Sequence, residues 1–244
     1  MLKKIILDYY EKGGLEDGIY AKRFYKYKLK DYKFTYLGEN LLLHPYKSMY
    51  WEKYKILFLS DLHLGKAAHF RKSGIPIPEN IHALDFERIE LLLNRYKPKR
   101  IIFLGDLFHS SFNNSWSIFK DFCTRKIDFI PELVIGNHDI MDDDHYGFLK
   151  TYHDRLVLDP FILSHKPLPA DELKGYYNLC GHLHPSVKIS GPARQSLRVE
   201  CFYFGKNHGI LPAFGNFTGN SKMPRRKKTD TVFAVTNQKI IRLY

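Results

Sequence analysis

Ile56-Leu57-Phe58-Leu59-Ser60-Asp61-Leu62-His63 is the stretch that decides how this chain is read. Four consecutive large apolar residues leave neither face of a strand polar, the pattern of a strand buried on both sides. The run then stops at an acid and a histidine. The same design recurs at Ile101-Ile102-Phe103-Leu104-Gly105-Asp106 and at Leu133-Val134-Ile135-Gly136-Asn137-His138-Asp139. Between the first two runs, residues 79–97 carry Ile81, Leu84, Ile89, Leu92 and Leu93 at helical spacing, with Pro78 before the start and Pro98 after the end. Residues 115–126 predict a second helix. The order strand-helix-strand-helix-strand argues for parallel strands joined by right-handed crossovers.

Further along, the pattern changes. Short strands are predicted near 161–164, 177–180, 186–190, 197–204 and 208–212, with few helical stretches between them. Within 197–204, Leu197, Val199, Cys201 and Tyr203 share one face. A hairpin of 231–235 and 240–243 closes the chain. Residues 1–33, rich in Tyr and Lys, show no convincing strand or cap. The fold class expected is α/β, a sandwich of two packed sheets in one domain.

The 244 residues are 44% apolar and 26% charged, which excludes a disordered, collagen-like or coiled-coil chain. No uncharged apolar run approaches the roughly 18 residues of a membrane helix. The N-terminal Ile5-Ile6-Leu7 meets Asp8 too early for a signal-peptide core. Three cysteines, Cys123, Cys180 and Cys201, make no CxxC and indicate no disulfide framework. A soluble cytoplasmic protein with no membrane partner is expected. The formal charge is +12 and uneven: residues 56–187 hold 15 basic and 17 acidic side chains, whereas residues 188–228 hold nine and one. Such an excess suggests an anionic partner, nucleic acid being the commonest, or else a solvated lysine-rich surface. The run Arg225-Arg226-Lys227-Lys228 fits either a nucleic-acid backbone or an exposed basic loop.

Five segments that follow predicted strands end in metal-type ligands: Asp61-Leu62-His63, Gly105-Asp106, Gly136-Asn137-His138-Asp139, Ser164-His165 and Gly181-His182-Leu183-His184. Parallel strands deliver their carboxyl ends to one sheet edge, so ligands there can share a site. In Asp-x-His and His-x-His, extended backbone points both side chains to the same side. Any one fragment alone is usually a loop pair or a surface histidine; five in this order are not. Carboxylate, imidazole and carboxamide without thiolate suit Mn, Fe or Zn in a catalytic site.

The set D-x-H, G-D, G-N-H-D, H and G-H-x-H resembles the calcineurin-like metallophosphoesterases. The resemblance implies an αββα sandwich of two packed sheets and two divalent metal ions per chain, manganese first, with iron or zinc as alternatives. Position by position, it implies that Asp61, His63 and His184 hold one ion and that Asn137, His165 and His182 hold the other. Asp106 then bridges them, His138 is the acid beside the leaving group, and Asp139 orients it. After Gly105-Asp106 many relatives carry Asp or Arg three residues on, where this chain has His109. Gly105-Asp106-Leu107-Phe108-His109 looks like the repair nucleases of the superfamily, where that histidine sits beside the metals.

A closer likeness spans about residues 36 to 244. Leu43-His44-Pro45, Asp61-Leu62-His63-Leu64-Gly65-Lys66, Arg71 with Gly74-Ile75-Pro76, Gly105 to Ser110 and Leu211 to Gly219 are similar to the PdeM family of bacterial phosphoesterases, the ligase-associated DNA damage response endonucleases. It departs at Asn220, where that family has a second Gly. Residues 1–35 become an N-terminal extension of unknown role, and residues 36–244 the phosphoesterase domain. The function implied is a two-metal nucleic-acid phosphodiesterase or DNA endonuclease in repair, with DNA as partner and a DNA ligase and helicase as functional associates. The resemblance implies that the ions would supply an activated water to attack phosphorus and that His138 would protonate the leaving oxygen. Lys66 and Arg71, just after the first ligand pair, are candidates for flanking phosphates or ordinary surface charge. The alternatives are a hydrolase of a small phosphoester, such as a nucleotide or nucleotide-sugar, and a non-catalytic scaffold of the same fold.

Overall fold

The computed structural model describes residues 29–67, 70, 74, 82–109, 114–125, 128–190, 196–216, 218, 219, 221, 222 and 227–243. Its first sheet has seven strands in chain order: β1 (Tyr32–Tyr36), β2 (Glu39–His44), β3 (Ser48–Trp51), β4 (Ile56–Leu59), β5 (Arg100–Leu104), β6 (Ile130–Val134) and β7 (Lys150–Tyr152). Strands β1 to β4 pair antiparallel, and β4 to β7 pair parallel. The parallel half is the one read from the sequence. Its crossovers carry α1 (Ala83–Tyr96) and α2 (Asn114–Arg125), within one residue of the expected ends wherever those ends are described.

The unbroken apolar runs of β4 and β5 are explained by two cores. Leu57, Leu59, Ile101 and Phe103 pack with Ile89 and Leu92 of α1 and Phe119 of α2. Ile56, Phe58, Ile102 and Leu104 point the other way, into a second core with Phe161, Leu163, Phe202 and Phe233. A strand in the middle layer has no solvated face to mark with polar residues.

The second sheet supplies that other wall. Along β14 (Ser221–Lys222), β11 (Pro185–Ser190), β12 (Ser196–Phe204), β13 (His208–Ile210), β10 (Tyr177–Cys180), β9 (Phe161–Ser164) and β8 (Arg155–Leu158) the pairing is mixed. The hairpin of β15 (Thr231–Val235) and β16 (Ile240–Arg242) joins it through β12. In β12 the core face belongs to Phe202 and Phe204; on the other face Leu197 is 65% exposed and Cys201 buried. A 3-10 turn at Ala170–Glu172 lies in the connection beside a small outer cluster of Ile162, Leu168 and Leu173.

Strand β1 straddles the boundary expected between residues 35 and 36. Its Phe34 and Tyr36 rings lie 4.6 Å from Phe204 and Tyr177 in the second sheet, so these residues are part of the inter-sheet packing. Residues 1–28 of the expected extension lie outside the described residues. No described helix is long and apolar enough to cross a membrane.

Candidate metal centre

The ends of β4 and β5 run on side by side after the strands stop. Asp61 N donates to Gly105 O at 3.1 Å, His63 N to Asp106 O at 2.9 Å and His109 N to Leu64 O at 3.0 Å. This tandem ladder brings the first two ligand segments together. Gly181 N donates to His165 O at 3.0 Å, aligning the segments after β9 and β10 in the same way. Asp61, His63, Asp106, His182 and His184 all have positive φ, between 42° and 65°. They are half of the ten such non-glycine residues described. Backbone strain of about 1–3 kcal/mol each persists only where surrounding structure over-determines it, typically at functional sites. Gly105, at φ +78°, sits where an added Cβ would overlap the His165 ring.

Two pockets result. In the first, ligand atoms of Asp61, His63 and His184 converge within 4.8 Å of one another. His184 Nε2 is 3.2 Å from Asp61 Oδ1, and Ser60 Oγ donates to Asp61 Oδ2. In the second, Asp106, His165 and His182 converge equally closely. The Asn137 amide oxygen joins them, 3.1 Å from His165 Nε2. Asp106 spans the two, with Oδ2 3.7 Å from His63 Nε2 and Oδ1 3.3 Å from His165 Nε2. The far nitrogens of two of these histidines are fixed by backbone: His165 Nδ1 lies 3.0 Å from Leu104 O, and His184 Nδ1 lies 2.8 Å from Gly219 O. Such outer partners orient a ligating imidazole.

The residues fit divalent ions. His63 Nε2 is buried with no hydrogen-bond partner, a costly state for a lone nitrogen and the normal one for a metal ligand. His182 Nδ1 and His165 Nε2 face each other at 3.0 Å, two ring nitrogens aimed at one point. Electrostatics agree. Burial raises the Asp106 carboxyl, but His165 and the His138 N–H pull it down harder, to about 2, so it is anionic. Burial holds His63 down to about 3, hence neutral and able to coordinate.

His138 is half-buried at the edge of both pockets. Its backbone N–H donates to Asp106 Oδ1 at 2.9 Å, and its ring stacks on His109, centroids 4.8 Å apart. His109 Nδ1 is 3.3 Å from His63 Nδ1, placing it behind a ligand as well as beside His138. Asp139 accepts backbone N–H bonds from Phe108 and Gly136, both at 2.9 Å, and so ties the β5 loop to the β6 loop that carries His138. Burial pushes its carboxyl up to about 7 despite these donors. Lys66 is half-buried one turn beyond His63; Arg71 lies outside the described residues. Sequence reading did not single out Ser60, Leu104 O or Gly219 O. Backbone acceptors leave no residue-type signature.

Comparison with known proteins adds the lineage. No curated protein matches the chain. Among solved structures, the nuclease MPE of Pseudomonas putida is 26% identical with a TM-score of 0.72, over 88% of this chain and 100% of that one. The Aquifex aeolicus protein AQ665, of unknown function, is 19% identical with a TM-score of 0.41, over 53% of this chain and 78% of its own. The Escherichia coli phosphoesterase Yfce is 15% identical with a TM-score of 0.40, over 76% and 96%. A family model matches residues 54–240, from just before β4 through the start of β16, and therefore takes in every ligand-bearing segment of both pockets. By that match the chain belongs to the calcineurin-like phosphoesterases, a family of metal-dependent phosphoester hydrolases.

Proposed function

We propose that this chain is a two-metal nucleic-acid phosphodiesterase, in the first place a DNA endonuclease acting in repair. The observation that carries the reading is the pairing of two Asp/His pockets through Asp106, with His138 and His109 stacked at their rim. The likeness to a nuclease, over 88% of this chain, points the chemistry toward a diester. When bound, divalent ions lower the pKa of water and polarise phosphoryl oxygens. Asp61, His63 and His184 hold one ion, Asn137, His165 and His182 the other, and Asp106 contributes to both. Manganese is the first choice for this oxygen and imidazole set.

The protein's own part is proton transfer and positioning. His138, anchored by its backbone to Asp106, donates a proton to the departing oxygen, and His109 supports its ring. Asp139 keeps the loop that carries His138 against the loop that carries Asp106. Lys66 and Arg71 hold flanking phosphates. The hairpin of β11 and β12 leaves directly from His184, and across it Lys188 lies opposite Arg198, both exposed. Like charges directly opposed destabilise a strand pair unless an anion lies between them, so this ribbon suits a phosphate backbone. A DNA ligase and a helicase are the functional associates this setting implies.

The test is a substrate screen with Mn²⁺: duplex and single-stranded DNA, RNA, aryl diesters, monoesters and nucleotides. Cleavage of DNA and diesters well above monoesters is expected. Turnover restricted to nucleotides or monoesters would move the function to a small phosphoester, and no turnover with any divalent ion would leave a scaffold.

A further inference from the structure

Helix α1 carries charged residues on its buried face: Asp85 and Arg88 are 1% and 5% exposed. At that depth a guanidinium must find its partners within the protein. Arg88 Nη1 donates to Phe214 O at 2.9 Å, Asn216 Oδ1 at 3.0 Å and Asp85 Oδ1 at 3.2 Å, and Nη2 donates to Tyr46 O at 3.0 Å. The guanidinium carbon also lies 4.1 Å from the centre of the Phe214 ring. Asn216 Nδ2 closes the circuit, donating to Asp85 Oδ1 at 2.8 Å.

The segment that Arg88 grips is the one that holds the first pocket. Phe214 N donates to Ser60 O at 2.7 Å and Gly215 N to Asp61 O at 3.2 Å. Gly215 presses so closely on Leu62 O that a Cβ would overlap it. Thr218 Oγ1 donates to Gly215 O at 3.0 Å, and Gly219 O takes the His184 ring nitrogen at 2.8 Å. From the other end of the same loop, Gly65 N donates to His82 Nε2, at the start of α1, at 3.2 Å. Among the described residues, no hydrogen bond from α1 or from Phe214, Gly215, Asn216, Thr218 or Gly219 reaches Asp106, Asn137, His165 or His182 directly; the link runs through Asp61, whose carboxylate accepts the His182 N–H at 3.0 Å.

We propose that Arg88 is a positioning residue chiefly for the Asp61/His63/His184 pocket: it fixes Phe214 and Asn216, and with them Gly215, Thr218 and Gly219, as a template on which Asp61 and His184 are set. The second pocket is set by the strand ends and feels Arg88 only through Asp61 and the shared Asp106. This rests on the two-ion reading above, and outer partners of metal ligands typically govern about 10–100-fold in affinity.

The test measures Mn²⁺ binding pocket by pocket, in protein whose fold is checked by circular dichroism. Arg88→Lys keeps the charge beside Asp85 but loses the planar fork. In an Asn137→Ala background, where the first pocket dominates, Arg88→Lys should weaken binding about 10–100-fold. In a His184→Gln background, where the second pocket dominates, the weakening should be clearly smaller, because Arg88 reaches that pocket only through Asp61 and the shared Asp106. Should Arg88→Lys not fold, Asn216→Ala at the surface carries the same comparison with a smaller shift. Equal weakening in both backgrounds would make Arg88 a general structural residue and overturn the proposal. So would no weakening in either. A wild-type chain that binds fewer than two Mn²⁺ would overturn the two-ion reading itself, before any variant is compared.

Discussion

The two pockets are chemically alike and built by different means. The second is made of strand ends. His165 is fixed by Leu104 O, Asp106 takes the His138 N–H, and Asp139 clips Phe108 N to Gly136 N. The first depends also on residues far away in sequence, with Asp61 and His184 held by Gly215 and Gly219, and Phe214 and Asn216 beside them held by a buried arginine. Backbone at the edge of a close-packed parallel sheet has little freedom. A loop clamped by side chains can be released one contact at a time. The comparison teaches that one candidate pocket is held mainly by the ends of packed strands and the other also by a side-chain-clamped loop.

The strongest way to break that contrast is to remove what the pockets share. Asp106→Ala takes a ligand from both, so metal analysis should show both positions depleted, with an affinity loss in each exceeding the roughly 10–100-fold that outer partners cost. Two ions per chain in this variant would remove Asp106 from its bridging place. His138→Asn should do the reverse. Metal content stays at the wild-type level while cleavage of substrates with poor leaving groups falls by about 10²–10⁴-fold, the usual range for a positioned acid. Activated aryl diesters need little protonation and should lose much less; equal losses on both would count against the acid role.

A pH experiment sharpens the clamped side. His44, on β2, lies near Arg88 and Arg95 and 3.9 Å from Asp31. Burial pushes its imidazole down from an ordinary 6.5 to about 4, Asp31 opposing and the two arginines assisting. The unfolded chain therefore binds more protons between these values. Stability should rise with pH from about 4 to about 6.5 and be fully present above, this group contributing up to ~3 kcal/mol. Urea midpoints across that window should flatten in His44→Asn, whose side-chain oxygen can still accept the Tyr46 N–H. Identical slopes in both proteins would show that His44 does not carry the effect. The smallest effect expected is at the basic ribbon. In Lys188→Gln with Arg198→Gln, the log affinity for duplex DNA against log salt should flatten by about one to two units, near 0.9 per lost phosphate contact. Aryl-diester turnover, which does not reach the ribbon, should stay the same.

The same contrast governs how much was legible in the sequence. Ligand residues are readable because Asp-x-His, Gly-Asn-His-Asp and Gly-His-x-His place rare side chains at fixed offsets after apolar runs. Strands β4, β5 and β9 were visible for the same reason: burial on both faces leaves continuous Ile, Leu and Phe. Strands β1 to β3 were not anticipated. Tyr32-Lys33-Phe34-Thr35-Tyr36 alternates, but lysines crowd that stretch, and Leu41-Leu42-Leu43 is too short a run to separate strand from helix. Arg88 was the least legible of all. On a helical wheel it reads as surface charge, and only the distant Phe214 and Asn216 reveal it as buried. Supports of that kind come from tertiary contacts, which local pattern does not encode.

The most direct test of a two-ion phosphodiesterase is DNA cleavage by the metal-stripped chain as Mn²⁺ is added back in measured equivalents. The expected result is no cleavage in chelator and a rate that rises to its maximum only as the second ion per chain binds. Cleavage that persists in chelator, or that reaches its full rate at one ion per chain, would contradict it.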